Sequence, residues 1–172
     1  MFALKSSAFA NGETIPEKYT EMNIVSPPLN WENIPEGTKS LALAVTDPDV
    51  PEFFNFPRVL AHWMVCNIPA SANSLPEGAS PGGALPVGSV DLNSDFITSF
   101  KVPNYPVGYA GPWPPDASHR YVFTLYALKT ESLDIAQSAD YVEFCSKVLP
   151  QTIATATLIG IYGPAKNPLP GS

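Results

Sequence analysis

The stretch SLALAVTDPDVP (residues 40–51) runs from an apolar segment directly into a turn rich in aspartate and proline. Its apolar residues occupy both alternating faces, which is typical of a strand in the middle of a sheet. A second run, VLAHWMVCNI (residues 59–68), ends at a proline, and a third, HRYVFTLYAL (residues 119–128), is rich in aromatic and β-branched residues. We therefore predict three long strands, with residues 40–47 as the central one.

Shorter elements are predicted elsewhere in the chain. The segments MFALKSSAF (residues 1–9) and SPPLNW (residues 26–31) are weaker strand candidates. Residues 71–111 are rich in glycine, proline, asparagine and serine, so we expect loops there. Because loops carry most binding groups, this stretch is the predicted functional face.

The helical signal lies near the C-terminus. Ser138 is a candidate N-cap for a helix over ADYVEFCSKVL (residues 139–149), whose apolar residues form one stripe. Pro150 suits the first position of a second helix, PQTIATATLIGIYG (residues 150–163). The predicted fold class is therefore mainly β, with a small C-terminal helical pair, in a single domain over residues 1–172.

Composition excludes several classes of partner. The chain has 172 residues and a net charge of −7, which argues against binding to nucleic acid or to an anionic membrane. No apolar run approaches the ~18 residues of a membrane span, so no stable membrane insertion is expected. Cys66 and Cys145 lie in apolar runs and are expected to be free thiols. Because the N-terminus also lacks a signal-peptide pattern, we predict a cytoplasmic protein.

The two histidines and a pair of aspartates are the residues that could carry chemistry. By strand alternation, His62 shares a face with Met64, Cys66 and Ile68. His119 begins a strand and shares a face with Tyr121. Asp47 and Asp49 follow the central strand, where a carboxylate could orient a nearby imidazole and raise its pKa.

Each of these residues also has a purely structural interpretation. A histidine on an apolar strand is commonly a hydrogen-bonded core residue, and Asp-Pro sequences are common in turns. The chain lacks the nucleophile-elbow, phosphate-loop and dinucleotide motifs, and two histidines are too few for a zinc cluster. No cofactor and no metal is predicted.

Three blocks, in order, point to a family: SPPLNWENIPEGTKSLALAVTDPDVP (residues 26–51), AHWMVCNIPASANSLPEG (residues 61–78) and GPWPPDASHRYVFTLYAL (residues 111–128). Together they resemble the phosphatidylethanolamine-binding protein family, and within it the bacterial and archaeal, Raf-kinase-inhibitor-like branch. The resemblance extends from Ser26 to Tyr162. It implies a sandwich of two antiparallel sheets with the helices along one side.

The resemblance also implies a pocket for phosphate, phosphoryl headgroups or carboxylates, in which nearby carboxylates keep both histidines readily charged. The ligand-binding positions implied are Asp47, His62, Gly111, Pro112, His119 and Tyr121. Asp49 and Arg120 match a supporting ion pair. A cis Val50–Pro51 bond and a homodimer are further expectations from the relatives.

Three departures from the family pattern affect what can be carried over. Trp113 stands where bacterial members commonly have cysteine, so we expect a narrower pocket mouth. The Phe96–Tyr109 loop is longer than usual and carries additional aromatic residues. The tail shows no match to the extra helix of the animal proteins, so kinase inhibition is not implied.

Three functions remain open from the sequence. The leading hypothesis is a non-enzymatic module that binds a small anionic or phosphorylated ligand and could inhibit or scaffold a partner protein. The second is a hydrolase with a histidine as base and Asp47 as its orienting group. The third is an interaction domain with a vestigial pocket, which binds partners through the Phe96–Tyr109 loop.

Overall fold

The computed structural model describes residues 1–170, and strands dominate this part of the chain. The strands are β1 Ala3–Lys5, β2 Leu29–Glu32, β3 Ser40–Asp47, β4 Leu60–Pro69, β5 Ser74–Leu75, β6 Val90–Asp91, β7 His119–Leu128 and β8 Thr152–Tyr162. The α-helices are α1 Ala79–Gly82, α2 Asp95–Thr98 and α3 Tyr141–Val148, and the 3₁₀ helices are Glu17–Tyr19, Glu52–Phe54 and Leu149–Gln151.

The strands form two antiparallel sheets, one of three strands in the order β1-β2-β5 and one of five in the order β6-β4-β3-β7-β8. The predicted mainly-β, two-sheet class is confirmed. Strand β3 lies in the middle of the larger sheet, where it pairs with β4 and β7 along its length. The predicted central strand is therefore confirmed, and its turn lies at one end of the sheet.

Apolar side chains fill a core on each face of the larger sheet. Alternation along β3 directs Leu43 and Val45 into the core between the sheets and Ala44 into the other core. Helix α3 covers that second core with Phe144 and Val148, both fully buried. Since each face of β3 is covered, the strand is apolar on both sides.

The predicted helical pair is wrong in its second member. Residues 152–162 form strand β8, which pairs with β7 from Thr152↔Leu128 to Tyr162↔His119. Threonine and isoleucine are frequent in this segment, and tertiary pairing with β7 favours the extended form. The first helix begins later than predicted, because Asp140 rather than Ser138 caps it by accepting from the Glu143 N–H at 2.9 Å.

The expected cis Val50–Pro51 bond is also wrong. Within residues 1–170 the cis peptide bonds are Ser80–Pro81 and Gly163–Pro164. The turn after β3 is formed instead by the Asp47 side chain, whose Oδ1 accepts from the Asp49 N–H at 2.7 Å. Such an Asx turn bends the chain without a cis bond.

Over the 170 described residues, no helix has the length and apolar character needed to span a bilayer.

Gly160 provides a test of the packing between the N-terminal segment and β8. A Cβ at this position would lie 2.4 Å from Ile15 Cγ1 and 2.8 Å from Phe9 Cε2, both in buried side chains. We expect Gly160→Ala to lower the free energy of unfolding by about 1–3 kcal/mol, measured by chemical denaturation. Gly82→Ala is the matched control, because its Cβ would meet nothing within 4 Å. Equal stability of the two variants would contradict this packing.

Candidate functional site

The end of β3 and the start of β7 meet because the two strands are antiparallel neighbours. This pairing brings His119 Nδ1 to 2.6 Å from Asp47 Oδ2. Both side chains are 3% exposed. The structure therefore joins two of the predicted site residues in one buried hydrogen bond.

The second nitrogen of His119 is also occupied. Its Nε2 lies 2.7 Å from Oδ1 of Asp116, three residues earlier in the chain. Since carboxylates only accept hydrogen bonds, both ring nitrogens carry hydrogen and the ring is an imidazolium. Burial alone would lower the pKa of His119, but the hydrogen bonds and charges of the two carboxylates outweigh it and raise the pKa.

Asp116 was not among the sequence candidates. The signal available for it was its spacing, because an aspartate three residues before a histidine in a proline-rich loop can fold back onto the ring. That signal is weak without knowing that the loop turns towards β7.

A β-bulge sets the direction of His62. Val45 of β3 pairs with Trp63 of β4, and the next residue, Thr46, pairs with Ala61. His62 therefore has no pairing partner on β3 and is the extra residue of the bulge. Bulges re-aim side chains in this way. As a result Ala61 joins Met64 in the second core, whereas the His62 ring turns the opposite way.

The predicted face of His62 is therefore wrong. Its ring contacts Tyr121, which belongs to the core between the sheets, rather than pointing with Met64 and Cys66 into the other core. A second irregularity between Val65 and Ile68 likewise returns Ile68 to the core between the sheets. Simple alternation fails at both places because each bulge adds one residue.

His62 is held in the neutral form. Its Nδ1 lies 2.9 Å from the Ala110 carbonyl oxygen, so Nδ1 carries the hydrogen. Burial lowers the pKa of His62, and Asp47 and the nearby backbone of Ala110 and Gly111 only partly oppose this. The expectation that both histidines are readily charged is therefore wrong for His62. Its Nε2 is buried and makes no hydrogen bond of regular geometry with any described residue, although the Gly111 backbone lies near the ring.

Tyr121 lies between the two histidines. Its ring stacks on His119 at a centroid distance of 6.5 Å and meets His62 edge-on at 5.2 Å. Burial is the main cause that raises the pKa of its hydroxyl far above 10, so the group stays protonated. The hydroxyl lies near Asp47 and the Trp113 backbone, but it makes no hydrogen bond of regular geometry with any described residue.

These groups open into a narrow cleft with a cavity volume of about 20 Å³, inside about 310 Å³ of space that includes open solvent. The cleft is lined by Asp47, Val50, Pro51, Phe54, Leu60, His62, Phe96, Phe100, Trp113, Pro114, Pro115, His119, Tyr121 and Leu169. Its polar groups are thus gathered at one place within an otherwise apolar wall. No serine, threonine or cysteine belongs to the lining within residues 1–170.

The Gly111–Pro112 segment supports the cleft from behind. A Cβ on Gly111 would lie 2.8 Å from the Tyr19 carbonyl oxygen, so only glycine fits there. The Pro112 carbonyl oxygen accepts from the Glu21 N–H at 3.0 Å. The lining from this loop comes from the next residues, Trp113 to Pro115, rather than from Gly111 and Pro112 themselves.

Aromatic residues of the Phe96–Tyr109 loop form one wall of the cleft. Phe96 lies 5.4 Å from the His62 ring between centroids, and Phe100 packs against Phe96. The loop is anchored by buried Asp95, which receives two hydrogen bonds from Arg58 at 2.8 and 2.9 Å. It therefore folds over the site instead of projecting into solvent.

The C-terminal tail closes the opposite wall. Leu169 lines the cleft, and the indole N–H of Trp113 donates to the Asn167 carbonyl oxygen at 2.9 Å. Buried Glu21 accepts from the backbone N–H groups of Lys166 and Asn167 at 3.1 and 3.0 Å. Trp113 thus narrows the mouth together with the tail.

Asp49 and Arg120 form an ion pair at the edge of the site. Arg120 donates from Nη2 and Nε to the two carboxylate oxygens of Asp49 at 2.7 and 3.0 Å. Its backbone N–H also donates to Asp49 at 2.9 Å. The pair joins the turn after β3 to β7 and does not enter the cleft lining.

Residues 5–163 match the family model described as phosphatidylethanolamine-binding protein. The chain belongs to the phosphatidylethanolamine-binding protein family. It is 39% identical over 160 residues to the UPF0098 protein of Methanothermobacter thermautotrophicus, covering 92% of this chain and 97% of the relative.

Two bacterial members of the family have similar solved structures. Escherichia coli YbcL shares 32% identity, covers 95% of this chain and 98% of its own, and gives a TM-score of 0.81. Chlamydia trachomatis CT736 shares 33% identity, covers 95% and 97%, and gives a TM-score of 0.79. These similarities support a bacterial or archaeal member of the phosphatidylethanolamine-binding protein family.

The opposite charge states of the two histidines can be tested by NMR titration. We expect His119 to titrate above its ordinary pKa of ~6.5 and His62 below it, with His62→Gln used to assign the signals. The His119 proton stabilises the fold below about pH 6.5, and this contribution is lost as the pH rises through the raised pKa. Titration of both rings near 6.5 would contradict the two environments.

Proposed function

We propose that this phosphatidylethanolamine-binding family protein is a non-enzymatic module that binds a small phosphorylated or carboxylated molecule in the cleft. The ligand's oxyacid group enters together with one proton. The observation that carries the proposal is the buried His62 Nε2, which lacks a hydrogen-bond partner among the described residues. A buried polar atom left in this state costs free energy, which a ligand can recover.

The chemistry of the ligand follows from the two unpaired atoms. Neutral His62 offers a lone pair at Nε2. The Tyr121 hydroxyl lies near Asp47 and the Trp113 backbone but makes no hydrogen bond of regular geometry, so it can turn its hydrogen towards a ligand oxygen. A monoprotonated phosphate ester or a carboxylic acid satisfies both, with its O–H donating to Nε2 and another oxygen accepting from Tyr121. If the ligand instead enters in its ionised form and His62 takes up a proton from solvent, the complex contains the same number of protons.

The charges at the site favour this proton-coupled entry. Two carboxylates, those of Asp47 and Asp116, flank the single imidazolium of His119. These three side chains together therefore carry a net negative charge. A dianion entering alone would be repelled, whereas a ligand that arrives with a proton is not. The cleft is therefore a site for protonated oxyacids rather than a simple cationic pocket.

The hydrolase hypothesis gains no support from the geometry. Both nitrogens of His119 are bound to carboxylates, and the lining within residues 1–170 offers no hydroxyl or thiol nucleophile other than the Tyr121 phenol. The aromatic side chains of the Phe96–Tyr109 loop pack inward, which weakens the hypothesis of an interaction domain with a vestigial pocket. Partner inhibition or scaffolding, a homodimer and a cytoplasmic location stay predictions.

Proton-coupled binding predicts a specific pH dependence. Methyl phosphate loses its second proton near pH ~6, and His62 in the free protein is already neutral. We therefore expect affinity to fall roughly tenfold for each pH unit above ~6. Calorimetric titrations from pH 5 to 8.5, in two buffers of different ionisation heat, would measure this and the uptake of about one proton. A flat profile would be incompatible with the proposal.

The role of the Tyr121 hydroxyl can be separated from its packing. Tyr121→Phe removes only the hydroxyl, and we expect it to weaken methyl phosphate binding by about tenfold with little change in melting temperature. Tyr105→Phe is the matched control, because the Tyr105 hydroxyl is also buried and unpartnered in the described structure but lies outside the cleft lining. If both variants bind like the wild type, Tyr121 is not a ligand contact.

A further inference from the structure

Asp116 occupies the outward nitrogen of the charged histidine. His119 gives one N–H to buried Asp47 and the other to Asp116, at 2.6 and 2.7 Å. The His119 side chain is 3% exposed, whereas that of Asp116 is 39% exposed. A carboxylate of the chain itself therefore lies where a ligand oxygen would otherwise receive the second hydrogen bond of the imidazolium.

Asp47 is held more firmly in place than Asp116. Asp47 is buried and accepts from both His119 and the Asp49 N–H, so it is fixed at both oxygens. Asp116 is partly exposed, and within the described residues its one hydrogen bond is the contact with His119. Because Asp116 is 39% exposed, water can take its place at His119 Nε2, and we expect the protein to stay folded when Asp116 is displaced or removed.

Within residues 1–170, the cleft lining includes no lysine or arginine that could attract a highly charged ligand. Asp49 also faces this region, but Arg120 neutralises it in a bidentate pair. His62 lines the same cleft and is neutral, because burial lowers its pKa. A ligand with two negative charges would therefore meet Asp116 and Asp47 with no free donor from His119.

We propose that Asp116 is a specificity-determining residue, whose carboxylate acts as an internal substitute for a ligand oxyanion at His119 and selects against doubly charged ligands. This inference rests on the proposed function, since it concerns the same cleft. Wild-type protein contacts its ligand through His62 and Tyr121, because Asp116 already occupies the second N–H donor of His119. Removal of Asp116 exposes a charge-assisted donor and deletes one repulsive charge.

The test compares two probes at pH 6.5. Methyl phosphate is mainly a dianion at this pH, whereas acetate carries one charge. We expect Asp116→Ala to bind methyl phosphate about tenfold to a hundredfold tighter than wild type, and to gain less for acetate. Of the two carboxylates that raise the pKa of His119, Asp47 contributes more than Asp116, and it remains in the variant.

Two further variants separate the effect of the freed His119 donor from the effect of the lost negative charge. Asp116→Asn removes the charge but keeps an oxygen that can accept from Nε2, so its gain in affinity should be intermediate. Glu52→Gln is the matched control, because it removes one exposed charge next to Pro51, which lines the cleft, without touching His119. We expect this control to bind both probes within about twofold of wild type.

The outcomes distinguish this inference from the proposed function. If wild type binds methyl phosphate and Asp116→Ala binds it no tighter, the inference is overturned and the proposed function stands. If Asp116→Ala binds it and wild type does not, the inference is supported. If Asp116→Ala and Glu52→Gln gain equally in affinity for methyl phosphate, the effect comes from the net charge of the protein, and the inference about Asp116 is overturned. If no variant binds either probe, the proposed function is overturned and the inference falls with it.

Discussion

The buried carboxylate of Asp47 is the contact on which the geometry of the site depends. It ends the central strand, receives the Asp49 N–H on one oxygen and holds His119 with the other. An unpaired carboxylate in this position would be costly, so the turn after β3 and the start of β7 must be in place together. The Asp49–Arg120 pair then reinforces the same junction from outside.

Two histidines in one cleft have opposite charge states because their contacts differ. His119 touches two carboxylates, and their hydrogen bonds and charges exceed the penalty of burial. His62 touches a backbone carbonyl and aromatic rings, so burial prevails although Asp47 is near. The site thereby combines a fixed cation, already neutralised by the chain, with a neutral acceptor that has no partner in the described structure. This combination, rather than net positive charge, defines which ligands fit.

The sequence by itself determined the main strands, whereas the site residues were expected only from the family resemblance. Short apolar or aromatic and β-branched runs at residues 40–47 and 119–128, bounded by turn residues or loops, favour buried strands, and both strands form with those bounds. The antiparallel pairing of these strands follows the family resemblance, and it brings together Asp47, His119 and Tyr121. Local composition was sufficient for the strands alone, because strand burial acts over a few residues.

Only the tertiary structure decided the features that depend on contacts between distant residues. Residues 152–162 could satisfy their backbone groups as a helix or a strand, and the open edge of β7 settled the choice. The bulge at His62 shifts the register of β4 against β3 by one residue, and it turned the ring into the cleft. Asp116 became part of the site only when its loop packed against β7. In each case the deciding energy comes from a partner that is remote in sequence, which local patterns do not encode.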